Sequence, residues 1–309
     1  MKAALLVSYG GQDAVKIDNT ERPEPSANEV QIEVVSASVN PFDYKVRDGL
    51  MQDSIRLELP IVIGGDVAGI VRALGDGVTE FSIGDQVYGQ ANALKQGSIA
   101  EYTVVNISQL ALKPKVDFET SAALPLASVS AYQALYEHLK LTKDQKILIH
   151  GGGGGIGSVA IQLAKNVGAH VATTASKKDE DYVLALGADM FIDYHADDFT
   201  KHVKEYDCVF DTVGGETFIK SYEVVRPGGK IVTMASQPSA ELDAKYDIHS
   251  MHQSTKVTTG KLNAIAELVN DDQLKIHIDK LFDLTDAPEA LEYLKTGHPR
   301  GKVVVQVKN

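Results

Sequence analysis

Apolar and polar positions change rhythm along the chain. Up to about residue 110 the apolar runs are short and broken by glycine. Val30-Gln31-Ile32-Glu33-Val34-Val35 alternates with the period of two that a half-buried strand requires, and Val67–Val71 is followed by Gly75 and Gly77. Gln86–Tyr88 and Ser98–Val105 lie among Gly84, Gly89 and Gly97. Short strands at this spacing predict a small barrel or sandwich. From about Thr120 strand-like and helix-like segments alternate. Lys146–His150 is an apolar run entering five consecutive glycines, after which Ile156, Val159/Ala160, Leu163/Ala164 and Val167 recur with a helical period. Gly168 stands where a helix-ending glycine is expected. His170–Thr174, Met190–Tyr194, Tyr206–Val213 and Lys230–Ala235 read as strands, Asp179–Leu186 as a helix, and Arg226-Pro227-Gly228-Gly229 as a turn. This alternation predicts a parallel sheet with crossover helices. In the last fifty residues or so, Leu262–Val269 and Ala287–Leu294 read as helices, Lys275–Phe282 and Lys302–Val307 as strands.

The length of 309 residues fits about two domains. A net charge of −12 argues against non-specific attraction to nucleic acid or anionic membrane. The single cysteine, Cys208, excludes an intrachain disulfide framework and any zinc site built on several thiolates. Ala3–Val7 is too short for a signal-peptide apolar region, and no run approaches the ~20 apolar residues that span a bilayer. The expectation is a cytoplasmic protein with neither a nucleic-acid nor a membrane partner.

Candidate chemistry begins at the glycine run. One register within it gives G-x-G-x-x-G: Gly152, Gly154 and Gly157, after a predicted strand and before a predicted helix. Such a turn lets backbone approach a pyrophosphate and aims the helix N-terminus at it. A flexible glycine tether is the bland alternative, but a tether needs no strand and helix in register. A Walker loop is excluded because Ser158, not lysine, follows Gly157. The Tyr136-x-x-x-Lys140 pattern precedes the glycine run and reads as an ordinary helix face. About 20 residues on, where NAD enzymes carry an acid for the ribose 2′-OH, stand Ser176, Lys177 and Lys178. Missing acid and present lysines favour NADP(H) over NAD(H).

Leu124–Tyr132, His150–Gly157, Asp211-Thr212-Val213-Gly214-Gly215 and Arg226–Gly229 resemble the medium-chain dehydrogenase/reductase superfamily. Ala37–Lys45 and Gly297–Val304 resemble its zinc-free, quinone-oxidoreductase-like branch. The resemblance implies an α/β chain: a GroES-like β-rich substrate domain over 1–120, a Rossmann doubly wound parallel-sheet domain binding NADP(H) over 121–255, and a return over 256–309 completing the first. In zinc alcohol dehydrogenases of the superfamily a cysteine stands where Asn40 falls here, and Gly-His-Glu where this chain has Gly64-Gly65-Asp66. No metal is therefore expected. His249 and His252 are a poor substitute, since positions three apart in an extended segment face opposite ways.

By position, the resemblance puts Ser130 near the nicotinamide and Gly154, Gly155 and Ile156 at the pyrophosphate. It puts Ser176, Lys178 and Tyr194 around the 2′-phosphate, with Lys177 as substitute. Asn40, Val213, Ala235 and Lys302 are the remaining cofactor contacts. Asn40 also reads as a helix N-cap, with Pro41 at N1 and Asp43 at N3. Lys45 is the expected catalytic side chain, its ammonium stabilising the anion formed by hydride addition, with Tyr44 in reserve as proton donor. The implied function is NADPH-dependent, zinc-independent hydride transfer to quinones or α,β-unsaturated carbonyls, in a cleft between the domains. An NADPH-binding sensor without turnover and a zinc-independent aldehyde or alcohol reductase stand as alternatives. A homodimer paired through Tyr246–Met251 is also implied.

Overall fold

In the computed structural model, which describes residues 1–308, the alternation at Val30 extends into an eleven-residue strand, Glu29–Val39. It is long because three partners cover it: Asp66–Leu74, Tyr102–Asn106 and Lys302–Gln306, all antiparallel. The seven-stranded sheet runs Ile278–Asp283, Lys302–Gln306, Glu29–Val39, Asp66–Leu74, Gln86–Gln90, Leu110–Leu112, with Tyr102–Asn106 also on the central strand. A three-stranded sheet holds Val15–Asn19, Lys2–Leu6 and Ile61–Val62. Ile32, Val34, Val67, Val71, Val87, Leu291, Val303 and Val305 are among the buried residues of this unit's core. The unit comprises Met1–Leu126, Val257–Asp272 and the chain from Ile276. It reaches beyond residue 120 because the Phe118–Ala123 helix packs Ser121, Ala122 and Ala123 on the Glu29–Val39 and Asp66–Leu74 strands. Asn309, the end of the expected return, lies outside the described residues.

Two expected strands start later than the pattern indicates. Residues 98–101 bond to the small sheet, with Ala4 N–H on Ile99 O at 2.9 Å and Glu101 N–H on Lys2 O at 3.0 Å, so that strand begins at Tyr102. Lys275 is taken by Gln162, which accepts from its N–H and donates to its carbonyl, and the next strand begins at Ile278.

The second unit, Ala127–Lys256 with Gln273–Lys275, is built on a six-stranded parallel sheet. Its order is Met190–Asp193, His170–Ala175, Lys146–His150, Tyr206–Asp211, Val225–Thr233, His249–His252. In chain sequence this is 3-2-1-4-5-6, the order of a dinucleotide-binding fold. Ile147, Leu148 and Ile149 are wholly buried, as strands covered on both faces require. The Gly155–Asn166 helix buries Val159, Ala160, Ile161, Leu163 and Ala164 and stops before Gly168, at φ +79°.

Three local expectations are corrected. Tyr136 lies not on an ordinary helix face but in a π-helical segment, Gln133–Leu139, ended by Lys140 at φ +53°. The Arg226–Gly229 turn sits inside its strand and bulges between Val225 and Lys230, which pair with Tyr206 and Cys208. The helix expected from Asp179 starts as a 3-10 turn at Lys177 and continues as Glu180–Ala185. No helix among the described residues is long and apolar enough to cross a membrane.

Candidate functional site

Strand order reverses between Lys146–His150 and Tyr206–Asp211, and the glycine loop leaves the carboxyl end of the first of these. Such a switch point is where open parallel sheets bind nucleotides. Gly151, at φ +78°, and Gly152 both donate to Thr174 O, at 3.1 and 2.9 Å, turning the chain sharply across the sheet end. A Cβ on Gly152 would stand 2.1 Å from Thr173 Oγ1, and one on Gly157 2.2 Å from Gly151 O, so packing demands glycine at both. Gly154 differs: a Cβ there would meet only Gly151 O, at an ordinary 3.5 Å. It is the N-cap of the Gly155–Asn166 helix. The amides of Gly155, Ile156 and Gly157 form the first turn, where no helical carbonyl precedes them. Space above Gly154 and free first-turn amides fit a pyrophosphate on both steric and electrostatic grounds.

The neighbouring strand ends carry the remaining predicted contacts. Ala175 pairs with Asp193, so Ser176 and Tyr194 follow side by side, and Tyr194 is half exposed. Ser176 Oγ donates to the buried Asp179 at 2.7 Å, while exposed Lys177 pairs with Glu180. A cavity of about 280 Å³ opens beside Tyr194, lined among others by His195, Lys220 and the carboxylates Asp197, Asp198 and Glu216. Asp211 accepts from Val213 and Gly214 N–H and from Thr233 Oγ1, shaping the turn that leaves Val213 exposed near Ala235. Ser130 is wholly buried, its hydroxyl 2.7 Å from Thr255 Oγ1.

In the first unit the structure gathers a different set. Asn40 Nδ2 donates to Asp66 Oδ2 at 2.9 Å, and Lys302 Nζ donates to Asn40 Oδ1, to Val39 O at 3.2 Å and to Asp66 Oδ2 at 3.5 Å. All three residues are buried, and Ser38 Oγ and Leu126 N–H also donate to Asp66. Burial pulls the Lys302 ammonium below the usual lysine value, an effect that the Asp66 carboxylate opposes. Asp43, accepting from Asn40 N–H at 2.7 Å, is pushed up by burial to about 7. The helix start at Pro41 is as expected: Asn40 is the N-cap, in a capping box with Asp43, whose carboxylate accepts from Asn40 N–H. Lys302, expected to reach the cofactor directly, has its ammonium enclosed by these partners. Lys45 lies on the exposed side of the Pro41–Arg47 helix, away from Asn40 and Asp43, and Tyr44 is half-buried against the core.

Sequence comparison gives this geometry a family. One family model, described as an alcohol dehydrogenase GroES-like domain, matches residues 26–115, and another, a zinc-binding dehydrogenase, matches 186–305. The chain is 38% identical over 317 residues to an NADPH-dependent alkenal/one oxidoreductase, chloroplastic, of Arabidopsis thaliana, covering 99% of this chain and 79% of that protein. It is 38% identical over 318 residues to a 2-methylene-furan-3-one reductase of Solanum lycopersicum, with the same coverage. The solved quinone oxidoreductase of Coxiella burnetii superposes with a TM-score of 0.92 at 34% identity, covering 100% of this chain and 99% of that one. The chain belongs to the medium-chain dehydrogenase/reductase superfamily, as a quinone-oxidoreductase-like member.

The zinc enzymes' metal motifs were matched above with Asn40 and with Gly64-Gly65-Asp66, where Gly65 stands in the histidine's place and offers no ligand. The donor set here does not fit a metal: an amide and one carboxylate remain, and a lysine ammonium lies against both. Residues that the sequence reading missed are His150, Thr174 and Asp211, all buried at the carboxyl end of the parallel sheet. A histidine ending an apolar strand and an Asp-Thr-Val-Gly turn were the available signals.

Proposed function

We propose that this protein is an NADPH-dependent reductase of α,β-unsaturated carbonyls or quinones. The observation that carries it is the open cradle at Gly154, in a chain 38% identical to an NADPH-dependent alkenal/one oxidoreductase. The first-turn amides of Gly155, Ile156 and Gly157 hold the pyrophosphate, and Ser176, Lys177, Lys178 and Tyr194 the 2′-phosphate. When bound, the dinucleotide supplies the hydride. Lys45, whose exposed ammonium has no ion-pair partner among the described residues, stabilises the anion formed on the acceptor; Tyr44 or water protonates it. Asn40, Ser130, Val213 and Ala235 are the further cofactor contacts in this proposal, with Lys302 acting through Asn40.

We place the reaction outside zinc chemistry on the strength of the Lys302 ammonium between Asn40 and Asp66. His249–His252 is an edge strand, and edge pairing across a two-fold axis would make a homodimer, which light scattering checks. We place the protein in the cytoplasm, which cell fractionation checks.

The decisive assay follows NADPH consumption with a simple quinone and a short 2-alkenal, against NADH and enzyme-free controls. Turnover with NADPH well above NADH is expected. Tight NADPH binding without turnover on any acceptor would overturn the reductase and leave a sensor.

A further inference from the structure

The residue directly before the glycine loop is wholly buried and polar at both ends. His150 Nε2 lies 3.1 Å from Ser221 Oγ, and Nδ1 lies 3.0 Å from Thr174 Oγ1. Ser221 Oγ donates its one hydrogen to Thr217 O at 2.7 Å, so towards the histidine it only accepts. The ring hydrogen therefore sits on Nε2. Nδ1 is then an acceptor in the neutral ring and takes the Thr174 hydroxyl hydrogen. That leaves Thr174 Oγ1 facing Gly151 N–H at 3.4 Å, while Thr174 O receives the Gly151 and Gly152 amides.

We propose that His150 is a positioning residue for the dinucleotide: as a neutral ring protonated on Nε2, it fixes Thr174 and through it the first turn of the glycine loop. This rests on reading that loop as the dinucleotide cradle. The ring is further enclosed by Phe199, edge-on at 4.7 Å between centroids, and the Asp211 carboxylate is the charged group that acts on it. Burial holds the imidazole down, to about 4, against the pull of Asp211. A proton on Nδ1 would turn the Thr174 hydroxyl and loosen its hold on the loop.

The test compares NADPH affinity, by fluorescence titration, with kcat at saturating NADPH. His150→Leu and Thr174→Val should each raise the Kd about tenfold and change kcat by less than about twofold. The double variant should be no weaker than either single, because both break one relay. His150→Asn, which keeps an acceptor near the Nδ1 position, should stay within about threefold of wild type. Ring ¹⁵N shifts of the unliganded protein should report an unprotonated Nδ1 from about pH 5 to 8. Wild-type affinity in Thr174→Val, additive losses in the double variant, or a protonated Nδ1 would each overturn the proposal. Should His150→Leu fail to fold, Thr174→Val carries the test, since it only exchanges a hydroxyl for a methyl of similar size. A wild type that does not bind NADPH would instead overturn the cradle reading, and this proposal with it.

Discussion

Gly154→Ala separates binding from folding in a way that its neighbours do not. Its backbone, at φ −80° and ψ 172°, is open to alanine, and the new methyl would meet only Gly151 O at 3.5 Å. Alanine is a poorer N-cap than glycine, but it lowers the entropy of the unfolded chain, and the two effects should leave stability within about 0.5 kcal/mol. The methyl would, however, stand over the first-turn amides. Losing one charge-assisted hydrogen bond to a phosphate, worth about 1.5–3 kcal/mol, raises the NADPH Kd roughly tenfold to a hundredfold. Gly152→Ala and Gly157→Ala place a Cβ 2.1 Å from Thr173 Oγ1 and 2.2 Å from Gly151 O. Such overpacking costs about 1–3 kcal/mol or more, because the second clash is with backbone. Thermal midpoints without ligand and NADPH fluorescence titrations on the three variants decide the matter. Wild-type affinity in Gly154→Ala would refute the cradle, as would a midpoint as low as that of Gly157→Ala.

Four further outcomes are expected. Lys302→Met leaves Asp66 buried without its cation and should cost about 3–5 kcal/mol in urea unfolding, much of it recovered when Asp66→Asn is added. Lys45→Met should lower kcat/KM for a 2-alkenal about tenfold, less than loss of a buried oxyanion donor because solvent screens an exposed ammonium; an unchanged value removes Lys45 from the chemistry. Lys177→Gln with Lys178→Gln should raise the NADPH Kd about tenfold and leave that for NADH within about twofold. Asp43 is held by burial at about 7, above its unfolded value, so its contribution to stability is complete below about pH 4 and is lost as pH rises through 7. Asp43→Asn should remove a decline on the order of 4 kcal/mol across that window, and unchanged pH dependence would refute the assignment.

What could be read early was local. The alternation at Val30, the helical spacing after Ile156, the glycine register and the helix start at Pro41 each depend on neighbours a few residues away. Element ends were harder, because they are set by distant partners: Lys275 is claimed by Gln162, and residues 98–101 by the first strand. The polar cluster was hidden for the same reason. Lys302 meets Asn40 across 262 positions, through a strand pairing that sets Val303 against Val39. No periodicity within either segment indicates that pairing. The exposure of Lys45 was equally out of reach, because burial depends on which face of a short helix points inward.

Asn40 carries more than its local motif shows. The Asn-Pro-x-Asp pattern starts the helix as expected, with Asn40 and Asp43 in a capping box. A backbone N–H is a neutral donor, while Asp66 and Lys302 offer the same amide an anionic acceptor and a cationic donor. Charge-assisted bonds are roughly twice as strong as neutral ones, and burial makes an unpaired charge costlier than an unpaired amide. The amide therefore also bonds inward, to Asp66 and Lys302, while Asp43 accepts from the Asn40 N–H. That pairing also fixes which end of the Asn40 amide is which: oxygen faces the ammonium and nitrogen the carboxylate, because an ammonium cannot accept and a carboxylate cannot donate.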